Sequence, residues 1–540
     1  MIRDLDRLTG QTFDVLVVGG GIYGLAIAYD AAQRGLAAAL VERDDFGSGS
    51  SFNHLRTIHG GLRYLQTLDV ARARQSTRER ATLARIAPHA VRPMSFALPL
   101  YRSLRAGKMA VRAGFALDSL VAFDRNAGVP AALRVPRGRV VSRGEAVHRF
   151  PGLRRQGLTG AAVWYDYITP ESDRLTFSFA LAAHEHGAVL VNHVEADALL
   201  ADGGRVTGAR VKDRLSGAGF DIAAKVTVNA TGGSIDRLLT PLGIALGMPL
   251  LTAMNLVTKR DAGDEALGGR GPSGRNFFLV PWRGRALLGT WESTRAPEPG
   301  APSVSAEEVS SFIAEANQAF PALDLTIADV TLVHRGVVPA VNTANGLALE
   351  GRERIRDHTA DRIDGLLSVA GTKYTTARAV AERVVDKVVQ KSGRAKVPCR
   401  TAGRPLPGGS LRDAALTIAE ARRDYDAGLP SDAMPHLVAA YGSRYRDVLE
   451  IGAGQPAWRD RIAADSPVIG AELVWAARKE MAVTLADAVI RRTPLGALGY
   501  PGDQAVDRAA AIVGSELGWS DERRREEAAT IRRFYDDPRT

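Results

Sequence analysis

A chain of 540 residues is too long for one compact core and predicts two or three domains. With 45% hydrophobic and 24% charged residues and no low-complexity tract it is neither disordered nor fibrous, and its one cysteine, Cys399, excludes an internal disulfide framework and a cysteine-based metal cluster. The net charge of +10 comes from 61 Arg and 9 Lys dispersed among acids, as in GWSDERRREEAATIRRFY, which argues against nucleic-acid binding and leaves weak attraction to anionic lipid or an anionic substrate open.

The opening MIRDLDRLTGQTFDV has acids and no apolar core, so it does not read as a secretory signal, and no apolar run reaches the roughly 18–20 residues of a spanning helix. With the lone cysteine, this predicts a reducing cytoplasm. Residues 13–18 (FDVLVV) form a short β-branched run without alternation, as in a strand buried on both faces of a parallel sheet. A Gly-rich turn follows at 19–24, then helical spacing over 22–34 with Gly35 just beyond, then a second strand at 37–41 (AAALV) ending at Glu42. Further on, 175–186 reads as a helix, and 188–194, 206–211 and 225–230 as strands. Residues 253–260, 277–280 and 286–290 suggest a second, largely antiparallel sheet. Beyond Pro398 only helices are expected, at 410–427, 432–441, 470–492 and 504–517. The Pro/Gly-rich VPCRTAGRPLPGGS puts a domain boundary near residue 400.

The strand–turn–helix–strand unit gives the Gly-rich turn the context a dinucleotide site requires. Gly19 permits the tight turn, Gly21 lets the backbone approach a pyrophosphate, and Gly24 lets helix and strand pack closely. The helix-start amides of Ile22 and Tyr23 hold the diphosphate, and Glu42, 18 residues past Gly24, accepts from both ribose hydroxyls. On this turn alone, NAD and a ligand-free turn remain alternatives. A second constellation favours FAD. Residues 47–64 (GSGSSFNHLRTIHGGLRY), rich in small and hydroxyl side chains, suit a segment running along the diphosphate and beneath a flavin. Residues 367–376 (LSVAGTKYTT) give a strand, a turn and a second helix start, with Thr375 and Thr376 near its N-cap, facing a flavin whose pyrimidine gains negative charge on reduction. The expected cofactor contacts are therefore Gly19, Gly21, Ile22, Tyr23, Gly24, Glu42, Arg43, Ser50, Ser51, His59, Gly60, Gly61, Val194, Thr231, Gly232, Gly371, Thr372, Lys373 and Thr375. No metal site is expected.

VVGGGIYGLAIAYDAAQRGL, IHGGLRYL at 58–65, APHAVRPMSFALPLY at 87–101, SDRL at 172–175, NATG at 229–232, FLVPW at 278–282, GTKYTTAR at 371–378 and ELVWAARKEMAVTLADAVIRRTPLG at 472–496 together resemble the FAD-dependent glycerol-3-phosphate dehydrogenase and alpha-glycerophosphate oxidase family, among the D-amino-acid-oxidase-like flavoproteins. The resemblance covers nearly the whole chain. It implies an α/β fold: a Rossmann-like FAD-binding domain over 1–400, an interleaved antiparallel-sheet substrate domain at roughly 88–165 and 245–345, and an all-helical C-terminal domain over 401–540. It also implies oxidation of the secondary alcohol of a polyol phosphate or related compound by hydride transfer to flavin N5, within the glycerol metabolism of a bacterial cytoplasm. Arg63 and Lys373 fall at the substrate side of the flavin, where an Arg fork matches phosphate or carboxylate. A structural ion pair for Arg63 and a surface lysine for Lys373 are the plainer alternatives.

Three positions depart from the family pattern. Val338 stands where G-V-R-P-L has its arginine, Asn255 where K-G-S-H has its histidine, and Trp291-Glu292 end the segment that is commonly G-T-T-D. The resemblance therefore implies an intact flavin machinery beside an altered pocket, with Asn255, Trp291 and Val338 as substrate contacts and Met254 beside them. His334, of the same strand parity as Val338, is a candidate general base, with His59 and His54 as rivals; His54 lies close enough to the flavin path for covalent attachment. The alternative function is a D-amino-acid-oxidase-like reaction on an amine or a non-phosphorylated sugar-like alcohol; a flavoprotein scaffold without a small substrate is the third. A quinone, oxygen or a carrier protein are equally open as electron acceptor, and a homodimer and peripheral contact with the inner face of the membrane are compatible with the sequence.

Overall fold

A computed structural model describes residues 1–102, 107–294, 296–297, 304–344, 346–411, 413–425 and 428–536. Its first sheet is ordered Arg354–Asp357, Leu366–Ala370, Gly219–Asn229, Thr12–Val18, Ala38–Val41, Val189–Val191, with Arg205–Asp213 and Val194–Asp202 added as an antiparallel flap on Gly219–Asn229. From Leu366–Ala370 to Val189–Val191 every pairing is parallel. Thr12–Val18 sends Val15 and Val17 into one core with the helices Ile22–Gln33, Ser172–Glu185 and Ala377–Ser392, and Leu16 and Val18 into a second core under the flap. That burial on both faces is why the strand is an unbroken apolar run.

The second sheet runs Gly346–Leu349, Val330–Thr343, Leu250–Thr258, Arg285–Glu292, Asn276–Trp282, Ala266–Arg270, Arg92–Tyr101, Leu158–Ile168, Thr57–Ile58, with Arg139–Ser142 on Leu158–Ile168. Only the pairing of Ala266–Arg270 with Arg92–Tyr101 is parallel. One face of its central strands is covered by the helix Ala306–Ala319, through Val309, Phe312 and Ala316. The other face takes Phe52 and the C-terminal helices, through Val257, Val280, Trp282, Leu287 and Leu332.

The C-terminal helices are Ala414–Tyr425, Ala433–Tyr441, Tyr445–Gly454, Gly470–Lys479, Asp503–Leu517 and Asp521–Asp536, with a π-helical turn at Asp487–Arg492. They form a third wall of the molecule, joined to the first by buried ion pairs: Arg492 to Asp45 (2.8 Å through Nη2), Arg174 to Glu480 (2.8 Å through Nη2), and His436 to Glu171, which also holds Arg283 from the second sheet.

Three expected elements differ. The strand over 188–194 breaks after Val191, because the Asn192 amide donates to Asp45 and to the Met481 carbonyl, and His193 turns to φ 54° before Val194–Asp202 begins. The single helix over 470–492 ends at Lys479, where Arg174 captures Glu480 and Met481 takes φ 55°; Asp487 then gathers the Val483 and Thr484 N–H groups and starts a new turn. The helix over 410–427 is Ala414–Tyr425; Arg412, Asp426 and Ala427 lie outside the described residues.

Candidate active site

The cradle is built from backbone. Gly19, at φ 106°, donates to the Val41 carbonyl (2.9 Å) and turns the chain into the helix Ile22–Gln33. A Cβ on Gly24 would stand 1.9 Å from the Gly19 carbonyl oxygen, so helix and turn are closer than any other residue allows. The Ile22 N–H donates to Ser51 Oγ (2.9 Å), which pins the 50–53 segment over the helix start. Glu42 is buried, and each of its oxygens accepts one backbone N–H, from Gly20 (2.6 Å) and Asp44 (2.9 Å). Burial pushes its pKa up and these two donors pull it back. The remaining lone pairs suit two ribose hydroxyls. Val194 donates to the Glu42 carbonyl (2.8 Å), and Thr231 Oγ1 to Asn229 (2.7 Å) just before the turn at Gly232. The Arg43 side chain, next to Glu42, is half exposed, and its Nε donates to Asp44 (3.2 Å).

The second helix start closes over the first. Tyr23 Oη donates to the Lys373 carbonyl (3.2 Å), just past Gly371, and Thr372 Oγ1 donates to Glu350 O (2.7 Å). Thr375 Oγ1 accepts from the His59 N–H (3.1 Å), and Asp166 accepts from the Gly60 N–H (2.6 Å), so the strip through Gly61 is clamped from both sides. His59 itself is exposed, with Nδ1 3.9 Å from Asp166. Burial alone would raise the Asp166 pKa; His59, Arg80 and the Gly60 N–H outweigh it and hold the group ionised. These groups fit FAD: a glycine-lined pyrophosphate cradle with the Ser51 hydroxyl at its helix start, an acid for the ribose, and a second helix start facing the first.

Beside this strip lies a cluster of cations around one ring. The Arg72 guanidinium stands 4.0 Å, the Lys373 Nζ 4.3 Å and the Arg63 guanidinium 5.1 Å from the Tyr64 ring centroid. Arg63 Nη2 donates to Tyr64 Oη (3.2 Å), and Lys373 Nζ to Ser76 Oγ. Burial pushes the Lys373 pKa down to about 8, against a smaller opposing pull from Tyr64. Burial would raise the Tyr64 phenol, but Lys373 and Arg63 outweigh it and bring it below its usual value. Tyr64 and Arg72 were not among the expected site residues. Tyr64 follows Arg63 within the IHGGLRYL signature and was legible there; Arg72 arrives only through the fold of the helix Val70–Ile86.

The sheet wall corrects two expectations. Strand register pairs Asn255 with His334, Ala253 with both Gly336 and Glu292, and Leu251 with Val338, so all these side chains share one face, and Gly336 approaches Ser50. Trp291 and Met254 pair with each other, and Met254 with Arg335, on the opposite face, where they pack with Leu288 and Phe312 beneath the helix Ala306–Ala319. Trp291 is thus core and Glu292 is its replacement on the site face. Burial raises the Glu292 pKa; Arg275 and Arg63 oppose the rise. His334 has the expected parity but is fully buried, edge-on to Phe52 (4.8 Å) and with Nδ1 on Asn53 (3.3 Å); burial holds it neutral, far below the usual imidazole range. Its enclosure removes it as a base for a substrate. His54 is stacked on Tyr374 (4.7 Å) and burial pushes it down to about 3. Asn255 is buried as a bracket between the Asn53 carbonyl (3.2 Å) and Thr290 Oγ1 (2.9 Å). Val338 is nearly buried among Leu251, Ala253, Leu347 and Leu349.

Known proteins share this architecture. Residues 14–387 match the family described as FAD dependent oxidoreductase, and 399–524 match the C-terminal domain of alpha-glycerophosphate oxidase. The chain is 31% identical to the glycerol-3-phosphate dehydrogenase of a Synechocystis strain, over 96% of each, and 33% identical to the human mitochondrial glycerol-3-phosphate dehydrogenase, over 98% of this chain and 75% of that one. A solved glycerol-3-phosphate dehydrogenase from Bacillus halodurans, complexed with FAD, superposes with a TM-score of 0.77 at 25% identity, covering 99% of this chain and 96% of that one. With the cradle, the second helix start and the helical third wall in place, the chain belongs to the FAD-dependent glycerol-3-phosphate dehydrogenase family, an enzyme family that acts on CH–OH groups with FAD as cofactor.

Proposed function

We propose that the substrate is a polyol phosphate, or a close relative with a larger or less anionic body, oxidised at a secondary alcohol. The observation that carries this reading is the cluster of Arg63, Arg72 and Lys373 around Tyr64, three cations on the strip that adjoins the flavin cradle. FAD supplies the hydride acceptor, and the chain's own residues do the rest. Arg63 and Arg72 receive the anionic end; Arg72 Nη2 is buried without a hydrogen-bond partner among the described residues, a donor suited to an anion. Lys373 places positive charge beside the second helix start, where it favours the reduced, anionic state of the cofactor. His59, exposed and backed by Asp166, takes the hydroxyl proton at its ring nitrogen. Ala253 and Val338, backed by the buried Leu251, form an apolar wall along the substrate's body, with Glu292 at its edge to accept a hydroxyl.

The names of the relatives support glycerol 3-phosphate as the first compound to try, and Val338 argues for trying larger ones. Anaerobic mixing of the yellow protein with glycerol 3-phosphate, longer polyol phosphates, the matching free polyols and amines, followed by flavin absorbance, tests the reading. Bleaching by a phosphorylated polyol and not by the free polyol or an amine is expected; the reverse pattern overturns it. The enzyme is proposed to work in the cytoplasm in peripheral contact with a membrane, which is compatible with its net charge of +10 and with the absence, among the described residues, of a helix long and apolar enough to cross one.

A further inference from the structure

The strand Val330–Thr343 pairs along one edge with Leu250–Thr258, and among the described residues Gly346–Leu349 takes its other edge only from Ala340 to Thr343. Before Ala340 that edge presents backbone groups which no strand covers. The cofactor segment meets them instead. The Arg335 N–H donates to Asn53 Oδ1 (3.1 Å), and a Cβ on the next residue, Gly336, would stand 3.4 Å from Ser50 Cα. A backbone N–H can only donate, so this contact fixes which end of the Asn53 amide is the oxygen. The amide nitrogen then donates to the Gly49 carbonyl (3.1 Å), and the His334 Nδ1–H, 3.3 Å away, donates to the same oxygen.

The Asn53 backbone reaches a second strand. Its carbonyl accepts from Asn255 Nδ2 (3.2 Å), and Asn255 Oδ1 accepts from Thr290 Oγ1 (2.9 Å), so three strands of the wall hang on one residue of the loop. The wall residues lie two or three positions from those anchors: Val338 from Arg335, Ala253 from Asn255 and Glu292 from Thr290. The loop's other attachment is to the cradle, where Ser51 Oγ accepts the Ile22 N–H (2.9 Å). His334 and Asn255 are both buried, so water is kept from replacing these bonds once they are cut. One strap thus runs from the pyrophosphate helix start through Asn53 to the sheet.

We propose that Asn53 is a positioning residue for the oxidation: it holds the substrate wall at a fixed distance from the flavin cradle, acting through Asn255 and the Arg335 backbone. The proposal rests on reading that wall as one side of the substrate site, whatever the substrate's anionic end. Hydride transfer requires the reacting atoms in near contact, and a misplacement of about 1 Å costs on the order of a hundredfold in rate. Cutting the strap therefore slows the reaction while the cations around Tyr64 stay in place.

The test is anaerobic stopped-flow reduction of the FAD-loaded protein by a saturating concentration of whichever panel compound, alcohol or amine, bleaches the flavin fastest. Asn53→Ala should slow reduction per bound flavin about tenfold to a hundredfold, while reduction by dithionite, which does not use the wall, is unchanged. Asn53→Asp keeps an oxygen for the Arg335 N–H and should recover most of the rate. Asn255→Ala cuts the strap from its other end and should act in the same direction. Joined with Asn53→Ala it should be no slower than the worse single variant, because both break one connection. Hydrogen exchange at the Arg335 amide reads the strap without any substrate, and should quicken at least about tenfold in Asn53→Ala. A role confined to folding would lower Tm and flavin content and leave the rate per bound flavin alone; that result overturns the proposal. So do an Asp variant as slow as the Ala one, losses that multiply in the double variant, or unchanged exchange at Arg335. An amine as the fastest reductant would sink the polyol-phosphate reading and leave these measurements intact, so the two fail separately.

Discussion

The Gly-rich cradle and the sheet wall opposite it differ in what fixes them. In the cradle the determinant is the backbone: a Cβ on Gly24 would stand only 1.9 Å from the Gly19 carbonyl oxygen, and Glu42 is locked by two N–H groups. Such constraints are local in sequence, span some 24 residues and tolerate few alternatives. On the wall the determinant is register across Leu250–Thr258, Arg285–Glu292 and Val330–Thr343, three strands drawn from distant parts of the chain. One step along a strand exchanges a pocket residue for a core residue. Trp291 and Glu292 are that exchange.

The largest effects should tell the two regions apart. Trp291→Thr, if Trp291 is core, leaves a cavity and costs about 3–4 kcal/mol of stability with KM unchanged; a changed KM at constant Tm would return Trp291 to the pocket. Gly24→Ala should act the other way, weakening FAD about a hundredfold, close to 3 kcal/mol, as read by flavin titration of the refolded protein.

The joint where the C-terminal helices meet the rest of the molecule has its own signature in pH. Burial would lower His436, but Glu472 and Glu171 outweigh it and raise the group to about 9. A folded pKa above the unfolded value of about 6.5 means stability fully present below pH 6.5 and lost as pH rises through 9, on the order of 2–3 kcal/mol. Thermal melts across that window should show the decline, and His436→Gln should flatten it.

Smaller effects sharpen the wall. Val338→Arg should raise kcat/KM for glycerol 3-phosphate about tenfold to a hundredfold, the worth of one charge-assisted contact. Asn255→His should not help. A Cβ on Gly289 would already touch the Asn255 amide oxygen at 1.8 Å, so the site has no room for an imidazole, and lost stability is the expected result. Smallest is Lys373→Gln, with flavin reduction slowed about tenfold below pH 8. Because burial brings the Lys373 pKa down to about 8, its charge is lost as pH rises through that value, and the rate of the unmodified protein should fall there. The glutamine variant should show no break.

These contrasts also explain what the sequence made legible. The strand 13–18, the turn 19–24 and Glu42 follow from short-range pattern and appear within a residue of expectation. The pairing of helix starts through Tyr23 and Lys373, and of His59 with Thr375, crosses more than 300 residues; the pattern of 47–64 and 367–376 pointed to the two segments but not to the contacts between them. Parity along Val330–Thr343 correctly aligned His334 with Val338, yet parity says nothing of depth: Phe52 and Asn53 seal the histidine from above. The break inside 470–492 was hidden because the cause, Arg174 taking Glu480, comes from another wall of the molecule.

That wall has a consequence for the order of assembly. Asp45 lies three residues beyond Glu42, and its buried partner Arg492 is synthesised almost 450 residues later. A ribosome completes the Gly-rich turn early, but the carboxylate in the loop beside the ribose acid has the Asn192 amide and no cation to hold it until the final helices arrive. Late cofactor capture by the nascent chain is the expected consequence, and a protein cut short before Arg492 should emerge colourless.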